Sequence, residues 1–124
     1  MFKAEIIETG KEITSAKERV MLKDTTSAIR LDEATLTDGS VDIYPANYAV
    51  LKVVNDRSED GEYTQYLILD ENGTKYLTGS ESFFKSFISI YNDMKDTNEA
   101  YGIKVYRHPS KKYAGKDFIT CTII

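Results

Sequence analysis

The sequence predicts a mainly β domain in which five antiparallel strands are interrupted once, by a helix between the third and fourth strands. Short runs rich in β-branched and aromatic residues alternate in polarity from residue 48 onward, with turn residues between them. Between residues 83 and 94 the apolar spacing changes to three and four, as in an amphipathic helix. A chain of 124 residues has the length of one domain, so we expect a single core.

The first 44 residues are predicted to form an extension of short elements. Phe2–Glu8 has the composition of a short strand. Ser15 and Glu18 stand three residues apart, as a capping box requires, and this predicts a helix from about Ala16 to Lys23. Ser27–Asp32 alternates in polarity and is interpreted as another short strand, followed by a polar stretch that reaches residue 42.

The first strand of the predicted barrel is Tyr48–Val54. Because side chains alternate across a strand, it has two distinct faces. The face interpreted as core carries Ala49, Leu51 and Val53. The face expected to point outward carries Tyr48, Val50 and Lys52.

Two further strands complete an antiparallel meander. The polar turn 55–61 leads to a strand over Glu62–Leu69. The turn 70–73 ends in Gly73, which can supply a positive φ, and the chain returns as Thr74–Thr78.

The helix is predicted from one apolar stripe behind two hydroxyls that can cap it, Ser80 and Ser82. Glu81 lies near the positive end of its dipole and Lys95 near the negative end. We interpret the stripe as core rather than as a cofactor or partner groove. Its members are Phe83, Phe84, Phe87, Ile88, Tyr91 and Met94.

The last two strands are predicted over Tyr101–Arg107 and Lys116–Ile124, joined by a loop that Pro109 opens. The residues expected to face inward are Tyr101, Ile103, Val105, Ile119, Cys121 and Ile123. Those expected to face outward are Lys104, Tyr106, Lys116, Phe118, Thr120 and Thr122.

This order of elements is that of the OB-fold, a five-stranded Greek-key barrel closed at one end by a helix. We therefore expect residues 45–124 to form an OB-like barrel and residues 1–44 to be its N-terminal extension. In this fold the second and third strands, with the flanking loops, bind a single strand of nucleic acid or an oligosaccharide.

Charge is distributed unevenly along the chain. Residues 1–100 contain 11 Lys and Arg against 19 Asp and Glu, giving −8, whereas residues 101–124 contain 5 against 1, giving +4. A basic face on an acidic body favours an oriented contact over indiscriminate coating of nucleic acid. The cations of the last segment alternate with aromatic rings, the combination that neutralises phosphates and stacks unpaired bases.

The sequence predicts neither membrane insertion nor export. No segment approaches the roughly 20 apolar residues of a membrane helix. The N-terminus has acids where a signal peptide needs a basic flank, so we expect a cytoplasmic protein. Cys121 is the single cysteine and sits in an apolar run, which favours a buried small side chain.

No enzyme, metal or cofactor is predicted. His108 is the single imidazole and lies in a polar loop, where a surface role is expected. The stretch TGSES lacks the GK[ST] of a phosphate-binding loop. A two-metal nuclease built from carboxylates stays open as an alternative, because their convergence in space is invisible in sequence. The acidic pairs considered are Asp32-Glu33, Glu59-Asp60 and Asp70-Glu71.

Three stretches of the chain resemble one protein family. KYLTGSESFFKSFISIYNDM and YGIKVYRHPSKKYAGKDFITCTII look like the C-terminal half of small single-stranded-DNA-binding proteins of phages and prophages of Gram-positive bacteria. ERVMLKDTTSAIRLDEAT is similar to the start of the same proteins. The resemblance implies an OB-type fold, no catalysis, and binding of unpaired DNA during phage replication or recombination.

The chain departs from the cellular single-strand binders of bacteria, which end in a flexible acidic tail that recruits partners. This sequence ends inside an apparent strand at Ile124. We therefore do not expect recruitment through such a tail. Phage or host replication and recombination proteins are the protein partners that the resemblance implies, and a homo-oligomer is left open.

The predicted nucleic-acid-binding residues combine stacking rings with phosphate-facing cations. The rings are Tyr48, Tyr76, Tyr106, Tyr113 and Phe118. The cations are Lys52, Lys104, Arg107, Lys111, Lys112 and Lys116. The function predicted from them is sequence-tolerant binding of single-stranded DNA without catalysis. The alternative is a phage accessory module that binds another protein and no nucleic acid.

Overall fold

The computed structural model describes residues 2–55, 61–112 and 115–124. In these residues it has eight strands and three helices, which alternate irregularly along the chain. They are β1 (Phe2–Thr9), α1 (Ala16–Lys23), β2 (Ile29–Arg30), α2 (Leu31–Asp38), β3 (Ser40–Ile43), β4 (Pro45–Asn55), β5 (Glu62–Asp70), β6 (Lys75–Thr78), α3 (Glu81–Met94), β7 (Ile103–Pro109) and β8 (Asp117–Ile123). None of the helices in the described part of the chain has the length and apolar character needed to cross a membrane.

The chain divides into two compact units, each built from two segments. The first unit comprises Met1–Ile29 and Ala46–Gly79, and the second comprises Arg30–Pro45 and Ser80–Ile124. Each unit therefore takes one segment from the predicted N-terminal extension and one from the predicted barrel.

The first unit contains a five-stranded sheet in the order β1-β4-β5-β6-β2. β1 pairs antiparallel with β4, and the register shifts between Ile6 and Glu8. The β5–β6 turn is the predicted one: Gly73 has φ +92° and donates its N–H to Asp70 O at 2.9 Å. The core face is also as predicted, since the buried cluster consists of Leu22, Ala49, Leu51, Val53, Leu67 and Leu77.

Helix α1 has the bounds that the capping box predicts. The Ser15 hydroxyl accepts the Glu18 N–H at 3.1 Å, and Glu18 Oε2 accepts the Thr14 N–H at 3.4 Å. At the other end Lys75 donates from Nζ to the main-chain oxygens of Met21 and Asp24, which places a cation at the negative end of the dipole.

The second unit contains a three-stranded antiparallel sheet in the order β3-β7-β8. Helix α3 confirms the predicted stripe, because Phe83, Phe87 and Tyr91 are buried and the first two rings stack with centroids 6.3 Å apart. The Ser80 hydroxyl caps the helix by accepting the Phe83 N–H at 3.2 Å. The remaining buried apolar side chains of this unit are Leu31, Ile43, Ile103, Val105, Ile119 and Cys121.

Helix α2 and strand β3 occupy a stretch that the sequence indicates only as short strand and polar loop. The helix buries just Leu31 and Thr35, one turn apart, so it carries no full apolar stripe for a periodicity argument to detect. Gly39 follows the helix as its C-cap, and its φ of +81° is accessible to glycine at little cost.

The mainly β class and the helix before the last two strands are confirmed, but the single closed barrel is not. Among the described residues the strands form two separate sheets, neither of which closes. The physical reason lies in two short strands of the expected N-terminal extension. β2 falls within the predicted strand Ser27–Asp32, whereas β3 is not predicted from the sequence. β2 takes the edge beside β6, and β3 takes the edge beside β7, so each half of the expected barrel ends in its own sheet.

Candidate nucleic-acid interface

One face of the β3-β7-β8 sheet carries three of the predicted binding residues, and the loop between β7 and β8 carries three more. They are Lys104, Tyr106 and Phe118 on the sheet and Lys111, Lys112 and Lys116 in the loop. On β7, Ile103 and Val105 are buried, so Lys104, Tyr106 and His108 lie on the other side of the pleat. The ladder sets Phe118 opposite His108, Thr120 opposite Tyr106, and Thr122 opposite Lys104. We call this surface the open face, since every member is exposed or half-buried: Ser40, Asp42, Lys104, Tyr106, His108, Phe118, Thr120 and Thr122.

The end of the open face nearest the β7–β8 loop is aromatic. The rings of His108 and Phe118 lie with centroids 5.6 Å apart and planes inclined at 42°. Phe118 remains 40% exposed. His108 Nδ1 is 2.9 Å from Pro109 O, and because a carbonyl oxygen can only accept, Nδ1 carries the hydrogen and the bond orients the ring.

A concavity of about 300 Å³ lies beside this ring pair. Rings and the Pro109 pyrrolidine supply apolar walls, and two exposed ammonium-bearing side chains stand at its border. A planar base can lie against such walls while its phosphate reaches a cation. The residues around the concavity are His108, Pro109, Ser110, Lys111, Lys112 and Phe118.

The β7–β8 loop concentrates positive charge at this end. Its neck is closed by a main-chain hydrogen bond of 2.9 Å from Ser110 N to Lys116 O. Lys111, Lys112 and Lys116 are exposed, and the sequence 110–116 contains no acid. The predicted ring Tyr113 lies outside the described residues.

Arg107 lies on the opposite side of the pleat, where its hydrogen bonds are intramolecular. The guanidinium donates from Nη1 to Asp117 Oδ1 at 2.6 Å, from Nε to Thr35 Oγ1 at 3.2 Å, and from Nη2 to Asp32 O at 2.7 Å. The assignment of Arg107 as a phosphate-facing cation is therefore corrected. It fastens α2 to the sheet, and its charge is balanced by a carboxylate.

Three predicted residues belong to the first unit. Tyr48 is only 6% exposed and donates its hydroxyl to Glu8 Oε2 at 2.8 Å, so the expectation of an outward ring is corrected. Lys52 is half-buried and forms an ion pair with Glu62 at 3.3 Å. Tyr76 is half-buried, and burial, followed by the charge of Asp70, raises the pKa of its hydroxyl. Alternation along a strand shows which side chains share a face, but it does not show whether other parts of the protein cover that face.

Two other side-chain placements concern β8. Ile123 is expected inward but is 48% exposed, because it is the last residue of β8, an edge strand of its sheet. Cys121 is buried as expected, and burial raises the pKa of its thiol to about 12.

Sequence reasoning missed three members of the open face, His108 on β7 and both Ser40 and Asp42 on β3. His108 is expected in a loop, but β7 continues to Pro109, and the two-residue alternation after Tyr106 is the signal that could have placed it. Asp42 could not be placed, because β3 itself is not predicted. Its register sets Asp42 directly opposite Lys104.

Within residues 2–55, 61–112 and 115–124, no three His, Cys, Asp or Glu side chains lie close enough together to hold a metal ion. The pair Glu59-Asp60 lies outside those ranges.

No family model, curated protein or solved structure matches the chain. The likeness to phage single-strand binders accordingly depends on the three quoted stretches alone.

Proposed function

We propose that the open face and the β7–β8 loop bind single-stranded DNA, without catalysis and with little preference for sequence. The observation that carries this proposal is the exposed ring pair of His108 and Phe118 beside a concavity bordered by Lys111 and Lys112. Rings for the bases and ammonium groups for the phosphates, adjacent on one surface, are the two components of such sites.

Unpaired bases are favoured over a duplex because stacking on Phe118 needs a free base face. Base–aromatic stacking contributes about 1–3 kcal/mol per base and tolerates any base, since each has a π-face. The acidic remainder of the chain disfavours other contacts with the phosphate backbone and so directs DNA to this surface.

The three loop lysines predict a measurable dependence on salt. For single strands, the slope of log affinity against log salt is about −0.7 for each phosphate neutralised. Contacts from Lys111, Lys112 and Lys116 therefore predict a slope of about −2.

Fluorescence anisotropy with a labelled oligothymidylate at low salt tests the proposal. The variant Lys111→Glu/Lys112→Glu should lose most of the affinity and most of the slope. The matched control, Lys11→Glu/Lys17→Glu, changes the net charge equally at two exposed lysines of the first unit and should bind nearly as the parent does. No detectable binding by the parent chain would refute the proposal.

Two competitors define the class of nucleic acid. An unlabelled duplex of the same length should compete weakly, because its base faces are already stacked. An RNA oligonucleotide of matched sequence reports whether a 2′-hydroxyl is tolerated, and preferential binding of RNA would redirect the proposal to that polymer.

The resemblance extends the proposal to a biological setting. We place the protein in the cytoplasm of a bacterial host, where it would cover unpaired DNA during phage replication or recombination. Deleting the gene from the phage should then lower the yield of replicated or recombinant phage DNA, and the double loop variant should reproduce that loss.

The alternative, a protein-binding module, is favoured by one observation. Tyr44 and Ile124 are exposed apolar side chains that both lie against Gly102, at the end of β7 away from the loop. If this alternative is correct, a pull-down without DNA captures a specific phage or host partner, and the double loop variant remains functional.

A further inference from the structure

We infer that Asp42 closes one end of the open face to DNA and thereby limits the length of strand that the protein binds. This inference rests on the proposed function and adds the residue that sets the size of its site. Without Asp42, Lys104 would offer phosphates a second positive point on the open face, beyond the loop lysines.

The register of β3 and β7 brings Asp42 beside Lys104. β3 pairs antiparallel with β7, and Asp42 stands directly opposite Lys104. Directly paired residues have Cβ atoms roughly 5 Å apart on the same side of the sheet. Both side chains are exposed, so the carboxylate and the ammonium present opposite charges at one place on the surface.

Surface charge changes from one end of β7 to the other. Asp42 is the one acid among the eight residues of the open face, and it lies at the Lys104 end. The loop end has Lys111, Lys112 and Lys116, and Asp117 beside them is engaged with Arg107 on the other side of the pleat. The open face is therefore bordered by strong positive charge at its loop end and is close to neutral at its Lys104 end.

Distance keeps the two ends electrostatically separate. His108 and Lys104 are four residues apart on β7, which corresponds to about 13 Å at the usual rise of a strand. This exceeds the Debye length of about 10 Å at 0.1 M salt, so the loop lysines do not offset Asp42.

Rings and charges together then define a short site. The pair His108–Phe118 and the next ring, Tyr106, lie two residues apart on β7, or about 7 Å. The ring pair and Tyr106 therefore offer stacking surfaces for two bases. A phosphate beyond Tyr106 would meet a lysine whose charge Asp42 cancels, and the carboxylate would repel it.

A merely structural role for Asp42 makes a different prediction. An exposed cross-strand pair stabilises a sheet by only about 0.2–1 kcal/mol, and its loss would change the free energy of unfolding while leaving the salt slope of DNA binding unaltered. The salt slope therefore separates the two roles.

The experiment compares Asp42→Asn with Asp93→Asn, which makes the same charge change at an exposed position of α3. Affinity is measured over a series of oligothymidylates, from dinucleotide to dodecanucleotide, and over a range of salt. For the long oligonucleotides, Asp42→Asn should bind roughly two- to fivefold more tightly than Asp93→Asn, with a slope steeper by about 0.7. The dinucleotide should bind both variants equally.

A second variant tests Lys104 directly. In the parent chain, Lys104→Gln should change neither affinity nor slope appreciably, whereas in the Asp42→Asn background it should abolish the gain. If the parent chain binds but Asp42→Asn and Asp93→Asn behave alike, or if Lys104→Gln alone reduces the slope, the inference is wrong and the proposed function stands. If the parent chain does not bind DNA at all, the proposed function itself is refuted, and the inference about Asp42 with it.

Discussion

Replacing Phe118 by leucine separates stacking from electrostatics at the proposed site. The ring is 40% exposed and touches His108 at a centroid distance of 5.6 Å. Leucine keeps much of the apolar bulk but removes the π-face. We expect the free energy of unfolding to fall by about 1 kcal/mol, the size of one aromatic pair contribution.

The effect on DNA binding should be larger than the effect on stability. Loss of one stacked base costs about 1–3 kcal/mol, which corresponds to roughly a 5- to 150-fold weaker affinity. The salt slope should not change, because no phosphate contact is lost. Anisotropy titrations at several salt concentrations measure both quantities in one series.

Tyr63→Leu is the matched control, since this ring on β5 is 41% exposed, like that of Phe118. It should leave DNA affinity within twofold of the parent value. The reasoning is refuted if Phe118→Leu binds as tightly as Tyr63→Leu, or if its main effect is a shallower salt slope.

Three further predictions concern the second unit. Arg107→Ala should lower the free energy of unfolding by about 1–3 kcal/mol in urea titrations, because Asp117 and helix α2 lose their hydrogen-bond donor. Unchanged stability together with a shallower salt slope of DNA binding would instead identify Arg107 as a phosphate contact. Gly102→Ala would put a Cβ 2.7 Å from the Tyr44 ring, so we expect the free energy of unfolding to fall by about 1–3 kcal/mol. Tyr44→Ala should relieve this loss in the double variant, and simple additivity of the two single effects would contradict the reasoning. The Cys121 thiol should react with Ellman's reagent only on unfolding, because burial raises its pKa from 9.0 to about 12. The folded state thus holds the thiol proton more tightly than the unfolded state does. The contribution of Cys121 to stability is therefore complete below pH 9 and is lost as pH rises toward 12. Fast labelling of the native protein at pH 8 would contradict the burial of the thiol.

The sequence alone determined those elements whose signals lie within one segment. Ser15 and Glu18 gave the bounds of α1, and the three- and four-residue spacing gave the buried stripe of α3. Alternation along β4 correctly identified Ala49, Leu51 and Val53 as core, but Tyr48 and Val50, which were expected to point outward, are buried as well. Such signals can be predicted because the period of a helix or strand is a local property of the backbone.

The tertiary structure decided which side chains meet and which faces are covered. Tyr48 shares a face with Lys52 but is buried, and Arg107 forms hydrogen bonds to α2 and Asp117 on the side of the pleat opposite the open face. The pairing of Asp42 with Lys104 depends on β3, a strand with no strong local signal.

Contacts between segments distant in sequence follow from strand pairing and register rather than from composition. A register shift of one residue would move every side chain of β3 to the opposite face. The basic and aromatic character of residues 101–124 could therefore be predicted from the sequence, whereas the extent of the candidate site on the open face required the three-stranded sheet.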